Sequence, residues 1–214
     1  MYEGGILMNN NTVITISREY GSGGRIIGKM VAEKLGIPFY DNEIITMSAE
    51  ESGINAEYFK EAENMAKSSI SLSISMLYPS TEVYGMPLNE KIFITQSRVI
   101  REVAEEGPCV IVGRCADYVL RSNPNAINVF VHSSMVNRIK RVREVYGDTA
   151  HENLESIIKK ADKRRANYYA YFTDRKWGDA RNYTLCLDSD KLGLENCADI
   201  IIEAIKKREE YNKA

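Results

Sequence analysis

Apolar and polar positions change their period along the chain, and the changes mark out its elements. Thr12 to Ser17 is short and β-branched and predicts a strand. A glycine-dense stretch, Arg18 to Arg25, follows it. Beyond that, Ile27, Met30, Val31 and Leu35 recur on one face of a helix that Gly36 ends, with Pro38 just past it. Ile37 to Tyr40 is a short apolar piece ending at Asp41. Residues 42–67 read as an acidic helix broken near Gly53. Residues 68–81 carry no charge. Ile70, Leu72, Ile74 and Met76 alternate there with polar residues as in a strand, while Ile70, Ile74 and Leu77 also fit a helix, and both readings stand. Residues 89–106 predict a helix stopped by Gly107 and Pro108. Cys109 to Val112 is wholly apolar, as a central parallel strand would be, and stops at Gly113 and Arg114. Ile127 to Val131 predicts a strand, followed by a basic helical stretch from Ser133. Thr184 to Leu187 predicts a last strand ending at Asp188 and Ser189, and residues 194–209 a closing helix. Strands alternating with helices predict an α/β fold on a parallel sheet. No internal repeat interrupts the pattern.

Composition narrows the picture. A chain of 214 residues, 44% hydrophobic and 27% charged, suits one soluble globular domain with a core of its own. No run of 18 apolar residues exists, so a spanning helix is not expected. The net charge of −2 speaks against a broadly basic nucleic-acid binder. That figure hides an asymmetry. Residues 138–182 carry +5 and the remainder −7, which points to a local anion site or, equally, to a solvated helix of mixed charge. Cys109, Cys115, Cys186 and Cys197 form no C-x-x-C pair and there are only two histidines, so reduced, buried thiols are expected rather than a zinc site. Residues 1–11 read as a loose leader without the features of a secretory signal, and a cytoplasmic protein is expected.

The glycine loop carries the first chemistry. Between a first strand and a first helix, such a loop offers backbone N–H groups and a positive helix end to an anion, and its glycines admit phosphate oxygens without a Cβ in the way. A tight turn alone would need fewer glycines than Gly21, Gly23 and Gly24. One register, Gly23 to Gly28 and Lys29, spells most of a phosphate-loop pattern with Met30 where Ser or Thr belongs. It starts too far beyond the strand, and Lys29 falls inside the amphipathic helix, where a solvated lysine is expected. The better register begins at Arg18 and starts the helix near Gly24. The lysine position then falls on Gly24 and the magnesium-holding hydroxyl position near Ile26. Neither residue type is present, and Arg25 is the nearest replacement cation.

Several of these residues together resemble a known family. Ile16 to Arg25, the strand end Phe39-Tyr40-Asp41, Gly113-Arg114, Asp162-x-x-Arg165, Tyr168-Tyr169 and Trp177-Gly178 are similar to motifs of the cytidylate kinase-like proteins. These are P-loop relatives of nucleoside monophosphate kinases, and the resemblance runs from about residue 12 to 206. It implies a P-loop NTPase fold: a five-stranded parallel sheet flanked by helices, with a helical nucleotide-binding insertion and a lid. On this chain that places the core in 12–41, 89–132 and 183–214, the insertion in 42–88 and the lid in 133–182, within a single domain 12–214. The resemblance implies that Gly21, Ser22, Gly23, Gly24 and Arg25 bind the phosphates of ATP. It implies that Arg114 holds an acceptor phosphate and that Arg138 and Arg141, on one helix face, grip the donor phosphates. Arg165 would sit on a phosphate, with Asp162 orienting it or reading a base; a local ion pair is the alternative for those two. Asp41 would hold magnesium or accept a proton, or else cap the helix that follows.

The expected catalytic set is therefore Arg25, Asp41, Arg138, Arg141 and Arg165, and the acceptor set Arg114, Asp162 and Arg165. Magnesium is expected with ATP, with Ser17, Ser22 or water in place of the missing ligand near Ile26. Arg98, Arg101 and Asp188 are lesser candidates, and the aromatic run Tyr168, Tyr169, Tyr171, Phe172 and Trp177 suits core or lid packing, or stacking on a base. The function expected is transfer of the ATP γ-phosphate to a small acceptor, a nucleoside monophosphate such as CMP. The alternatives are a non-catalytic nucleotide sensor and a kinase of another small molecule. No nucleic-acid or membrane partner is expected. The uncharged segment 68–81 suggests a homodimer contact.

Overall fold

The expected alternation of strands and helices is what the chain adopts. The structure is a computed structural model, and it describes residues 11–59, 87–146 and 153–213. In chain order the elements are β1 (Val13–Arg18), α1 (Gly24–Leu35), β2 (Phe39–Tyr40), α2 (Glu43–Ser52), α3 (Leu88–Glu106), β3 (Cys109–Val112), α4 (Ala116–Val119), β4 (Ala126–His132), α5 (Met135–Tyr146), α6 (Leu154–Thr173), a 3-10 turn (Ala180–Asn182), β5 (Leu185–Asp188), α7 (Ser189–Leu192) and α8 (Leu194–Lys213). The uncharged segment 68–81, with its strand-or-helix ambiguity and its dimer contact, lies outside the described residues.

The five strands form one parallel sheet in the order β2-β3-β1-β4-β5. β1 lies at its centre, with Val13 to Ile16 opposite Cys109 to Val112 on one side and Val13 to Arg18 opposite Ala126 to Val131 on the other. Both faces are covered, which is why the central strands read as continuous apolar runs. Alternate residues serve alternate faces. Ile14, Ile16, Val110, Val112, Val129 and Val131 pack under α1 and α8, against Ile27, Val31, Ile201 and Ile205. Val13, Cys109 and Ile111 pack against Ile44 of α2, against Val99, Ile100 and Val103 of α3, and against Ala116 and Val119 of α4. Each fully buried isoleucine in these layers is worth about 1.5–3 kcal/mol.

Boundaries follow local chemistry. α1 stops at Gly36, whose φ of 66° lets its N–H reach the carbonyls of Ala32 and Glu33. α2 breaks at Gly53 as expected (φ 67°), and residues 56–59 are again helical. α5 and α6 have a small apolar cluster of their own, Val142, Leu154 and Ile158, with Tyr20 packed against it. One expectation is corrected: Cys109, Cys115 and Cys197 are buried thiols, but Cys186 is exposed, because β5 is an edge strand with an outward-facing side. No helix among the described residues is long and apolar enough to cross a membrane.

Candidate functional site

In a parallel sheet all carboxyl ends lie along one edge, and the loops that leave them meet there. The loop after β1, Glu19 to Gly23, is braced from behind. Arg138 Nε of α5 donates to the Tyr20 carbonyl at 2.7 Å, and Arg141 Nη1 to the Gly21 carbonyl at 2.7 Å. The Tyr20 N–H donates to Asp162 of α6 at 2.8 Å, and Ser189 Oγ of α7 to the Ser22 carbonyl at 2.6 Å. Gly21 requires its glycine: φ is 79°, and a Cβ would stand 2.9 Å from the Arg138 carbonyl. α1 begins at Gly24, as the better register predicts. Its first turn has no acidic residue and no side-chain cap, which leaves its positive end to an anion. Lys29 is exposed and paired with Glu33 at 3.7 Å, as expected for a surface residue.

In front of the loop lies a cavity of about 540 Å³, within the range of small-molecule sites. Gly21, Gly23, Gly24 and five arginines line it: Arg18, Arg25, Arg114, Arg141 and Arg165. Its carboxylates are Asp41 and Glu19. Asp41 follows β2 directly and is 4% exposed. It accepts from Arg25 Nε at 2.6 Å, and Arg18 Nη2 lies 3.8 Å away. It is not the helix cap, for Asn42 occupies that position. Arg114 leaves β3 through a strained turn. Gly113, Arg114 and Cys115 have φ of 79°, 58° and 53°, and the two non-glycine residues there cost about 1–3 kcal/mol each. Arg165 crosses from α6 to donate to the Arg18 carbonyl at 3.1 Å, its guanidinium 5.4 Å over the Tyr20 ring.

The arginines crowd one another. Burial and then the charge of Arg18 push Arg165 down to about 9 and Arg114 down to about 10. Burial lowers Arg18 as well, against the raising effect of Asp41. All remain charged at neutral pH, so the cluster carries a repulsion that a bound anion would relieve. A second, smaller cavity of about 100 Å³ adjoins the first and shares Arg18, Arg114 and Arg165 as a wall. Ser17, Cys115, Tyr168, Tyr169 and Trp177 complete it. Behind it the Tyr169 hydroxyl donates to Asp117 at 2.6 Å, and burial pushes that carboxyl up. The Cys115 thiol is raised by burial too and is a packing group rather than a nucleophile.

Most residues expected in the site thus meet in it: Gly21, Gly23, Gly24, Arg25, Asp41, Arg114, Arg141 and Arg165. Three expected residues stand behind the loop instead. Ser22 is buried, its hydroxyl donating to the Glu19 carbonyl at 2.9 Å. Arg138, 4% exposed, is paired with Asp162 and with Glu19 at 3.2 Å. Asp162 therefore bonds to Arg138 and the Tyr20 N–H across two helices, and reaches Arg165 along its own helix only through its charge. Arg98 pairs with Glu51, and Asp188 caps α7 through the Asp190 N–H. Tyr168 and Tyr169 are buried packing residues, and Trp177 meets Phe130 edge-on at 5.3 Å. Arg18 and Glu19 were not singled out from the sequence. Arg18 opens the loop register, which is the one signal that could have found it. Among the described residues no group of three or more His, Cys, Asp or Glu is placed to hold a metal ion.

The model of the cytidylate kinase-like family matches residues 13–191. Among solved structures the chain is similar to an uncharacterized protein from Eubacterium ventriosum, 31% identical over 91% of this chain and 98% of that one, with a TM-score of 0.66. It is similar in fold to a gluconokinase from Sinorhizobium meliloti, 16% identical over 96% of this chain and 99% of that one, TM-score 0.54. A shikimate kinase from Acinetobacter baumannii in complex with shikimate is 14% identical over 92% of this chain and 94% of that one, TM-score 0.51. At these identities the two kinases show the shared P-loop kinase fold alone. No curated protein matches the chain. The matched span holds the glycine loop, Asp41, Gly113-Arg114, Arg165 and Trp177-Gly178, so the chain belongs to the cytidylate kinase-like family.

Proposed function

We propose that the protein is an ATP-dependent phosphotransferase acting on a small acceptor, with a nucleoside monophosphate such as CMP as the favoured class. Family membership supports the phosphotransferase. The observation that carries the reading is the convergence of five arginines and a glycine loop on one cavity at the carboxyl edge of the sheet. Phosphoryl transfer asks a protein chiefly for position and for charge to set against phosphate oxygens.

In this reading Gly21, Gly23, Gly24 and the start of α1 receive the donor phosphates, with Arg141 beside them, while Arg25, clasped by Asp41, stands at the rim. Ser22 shapes the loop from behind. Arg114 and Arg165 hold the acceptor on the side of the smaller cavity. An acceptor oxygen bonds to the γ-phosphorus, the bond from that phosphorus to the β,γ-bridging oxygen breaks, and its electron pair leaves with ADP. For a hydroxyl acceptor, Asp41 is the carboxylate in place to take the proton. Arg138 and Asp162 act through the loop, as positioning residues. Asp41, an oxygen donor on the cavity wall, would be the residue to hold magnesium beside the phosphates, and the ion would supply charge to set against their oxygens.

A coupled ADP-release assay over nucleoside monophosphates and small alcohols tests this. Turnover is expected with at least one acceptor, and Arg165→Ala should lower kcat/KM by the equivalent of ~2–4 kcal/mol, as for loss of an oxyanion donor. Unchanged kcat/KM removes Arg165 from the mechanism. A second reading, a nucleotide sensor, is favoured by glycine at position 24 in place of the loop lysine. ATP binding without turnover on any acceptor would select it.

A further inference from the structure

Glycine at position 24 leaves the loop without its usual cation, and two candidates stand nearby. Arg25 is the neighbour in sequence, but its side chain is 59% exposed and clasped by Asp41 at the cavity rim. Arg18 takes a different path. Its side chain runs between two loops, past Gly24 at the start of α1 and under Gly113 at the end of β3. A Cβ on Gly24 would stand 2.5 Å from the Arg18 Cβ and 3.1 Å from its Cγ, and a Cβ on Gly113 would fall on Arg18 Nη1. Gly24 therefore makes room for the base of the Arg18 side chain and Gly113 for its guanidinium. Arg18 also lines both cavities, with Arg114 and Arg165 as the other shared walls. It carries less of its charge into Asp41 than Arg25 does, at 3.8 Å against 2.6 Å.

We propose that Arg18 is the phosphate-binding cation of this site, reaching from the end of β1 to the place a loop lysine would fill, and that it holds the transferring phosphoryl group between donor and acceptor. The inference rests on the phosphotransferase reading above and assigns its central charge. It also explains the departure at position 24: a lysine there would need the space that Arg18 occupies. A guanidinium matches phosphate oxygens in a two-pronged fashion that an ammonium does not. Burial beside Arg114 and Arg165 makes the cluster a poor packing element and a good anion cradle, since each guanidinium disfavours the next until an anion arrives.

Calorimetric titration of the full chain with inorganic tripolyphosphate tests the assignment without any acceptor or turnover. Arg18→Met is expected to raise the tripolyphosphate Kd by about tenfold or more, the loss expected for a charge-assisted contact. Arg25→Met, at the exposed rim, should raise it by less than about threefold. The ligand-free melting temperature of Arg18→Met should hold or rise, because one of three repelling charges is gone. The double variant Arg18→Gly with Gly24→Lys, which returns the cation to the loop, should recover part of the affinity. The proposal is overturned if Arg18→Met keeps wild-type affinity, if its loss is no larger than that of Arg25→Met, or if Arg18→Met unfolds, which would make the guanidinium a structural group. Wild-type tripolyphosphate binding that needs Arg18, in a protein with no ATP turnover, would support the cradle and sink the kinase reading instead.

Discussion

Arg165 ties the site together at the scale of single residues. It stands on α6, donates to the Arg18 carbonyl, covers the Tyr20 ring and lines both cavities. Its guanidinium is pushed down to about 9 by burial and by Arg18. The sign of the consequence is definite. An anion prefers the charged guanidinium, so phosphate affinity should be full below pH 9 and should fall as pH rises through that value, followed by Arg114 near 10. Tripolyphosphate titrations between pH 7 and pH 10 check this; a flat profile would mean that neither residue meets the anion. At this scale the sequence showed the residues that exit strands. Gly21, Gly23, Gly24 and Arg114 were visible because each follows a strongly apolar run. Arg18 follows such a run as well, but its importance lies in the space left by Gly113, just beyond another strand, and no local spacing reveals that.

At the scale of elements, α5 and α6 form a brace for the glycine loop. Their shared cluster of Val142, Leu154 and Ile158 holds the pair together and receives Tyr20, so the loop is packed as well as hydrogen-bonded. The buried Arg138 is paired with the half-buried Asp162 across the two helices and with the half-buried Glu19 of the loop. Removing Arg138 leaves two partly solvated carboxylates without their partner, a cost of about 1–3 kcal/mol. Arg138→Met should thus lower the melting temperature by roughly 5 °C. Its effect on activity should follow from a loosened loop, visible as a higher KM for ATP. A variant with unchanged melting temperature would contradict the bracing role. The sequence placed Asp162 and Arg165 on one helix face and offered a pair between them. The helix–helix contact overrode it, since Asp162 found Arg138 on α5 instead. Spacing along one helix reports what can meet on that helix and says nothing of a partner on the next.

For the whole molecule, the net charge of −2 is the sum of an acidic body and a basic segment at 138–182. That segment was expected to supply the cations of the site. It supplies two of the five cavity arginines, Arg141 and Arg165, while Arg138 is neutralised behind the loop. Arg18, Arg25 and Arg114 come from the acidic remainder, and only the parallel sheet, by bringing its carboxyl ends to one edge, unites them. The fold was legible because apolar runs, glycine stops and the alternation of strands with helices are local signals, and β1, β3 and β4 each fall within a residue or so of their expected bounds. The convergence of charge was legible only through resemblance. The most direct test of the account is a calorimetric titration of the full chain with ATP and magnesium. The account predicts binding at one site with a Kd between ~1 μM and ~1 mM, weakened by added salt and by loss of Arg18. No binding of ATP at millimolar concentration would contradict it.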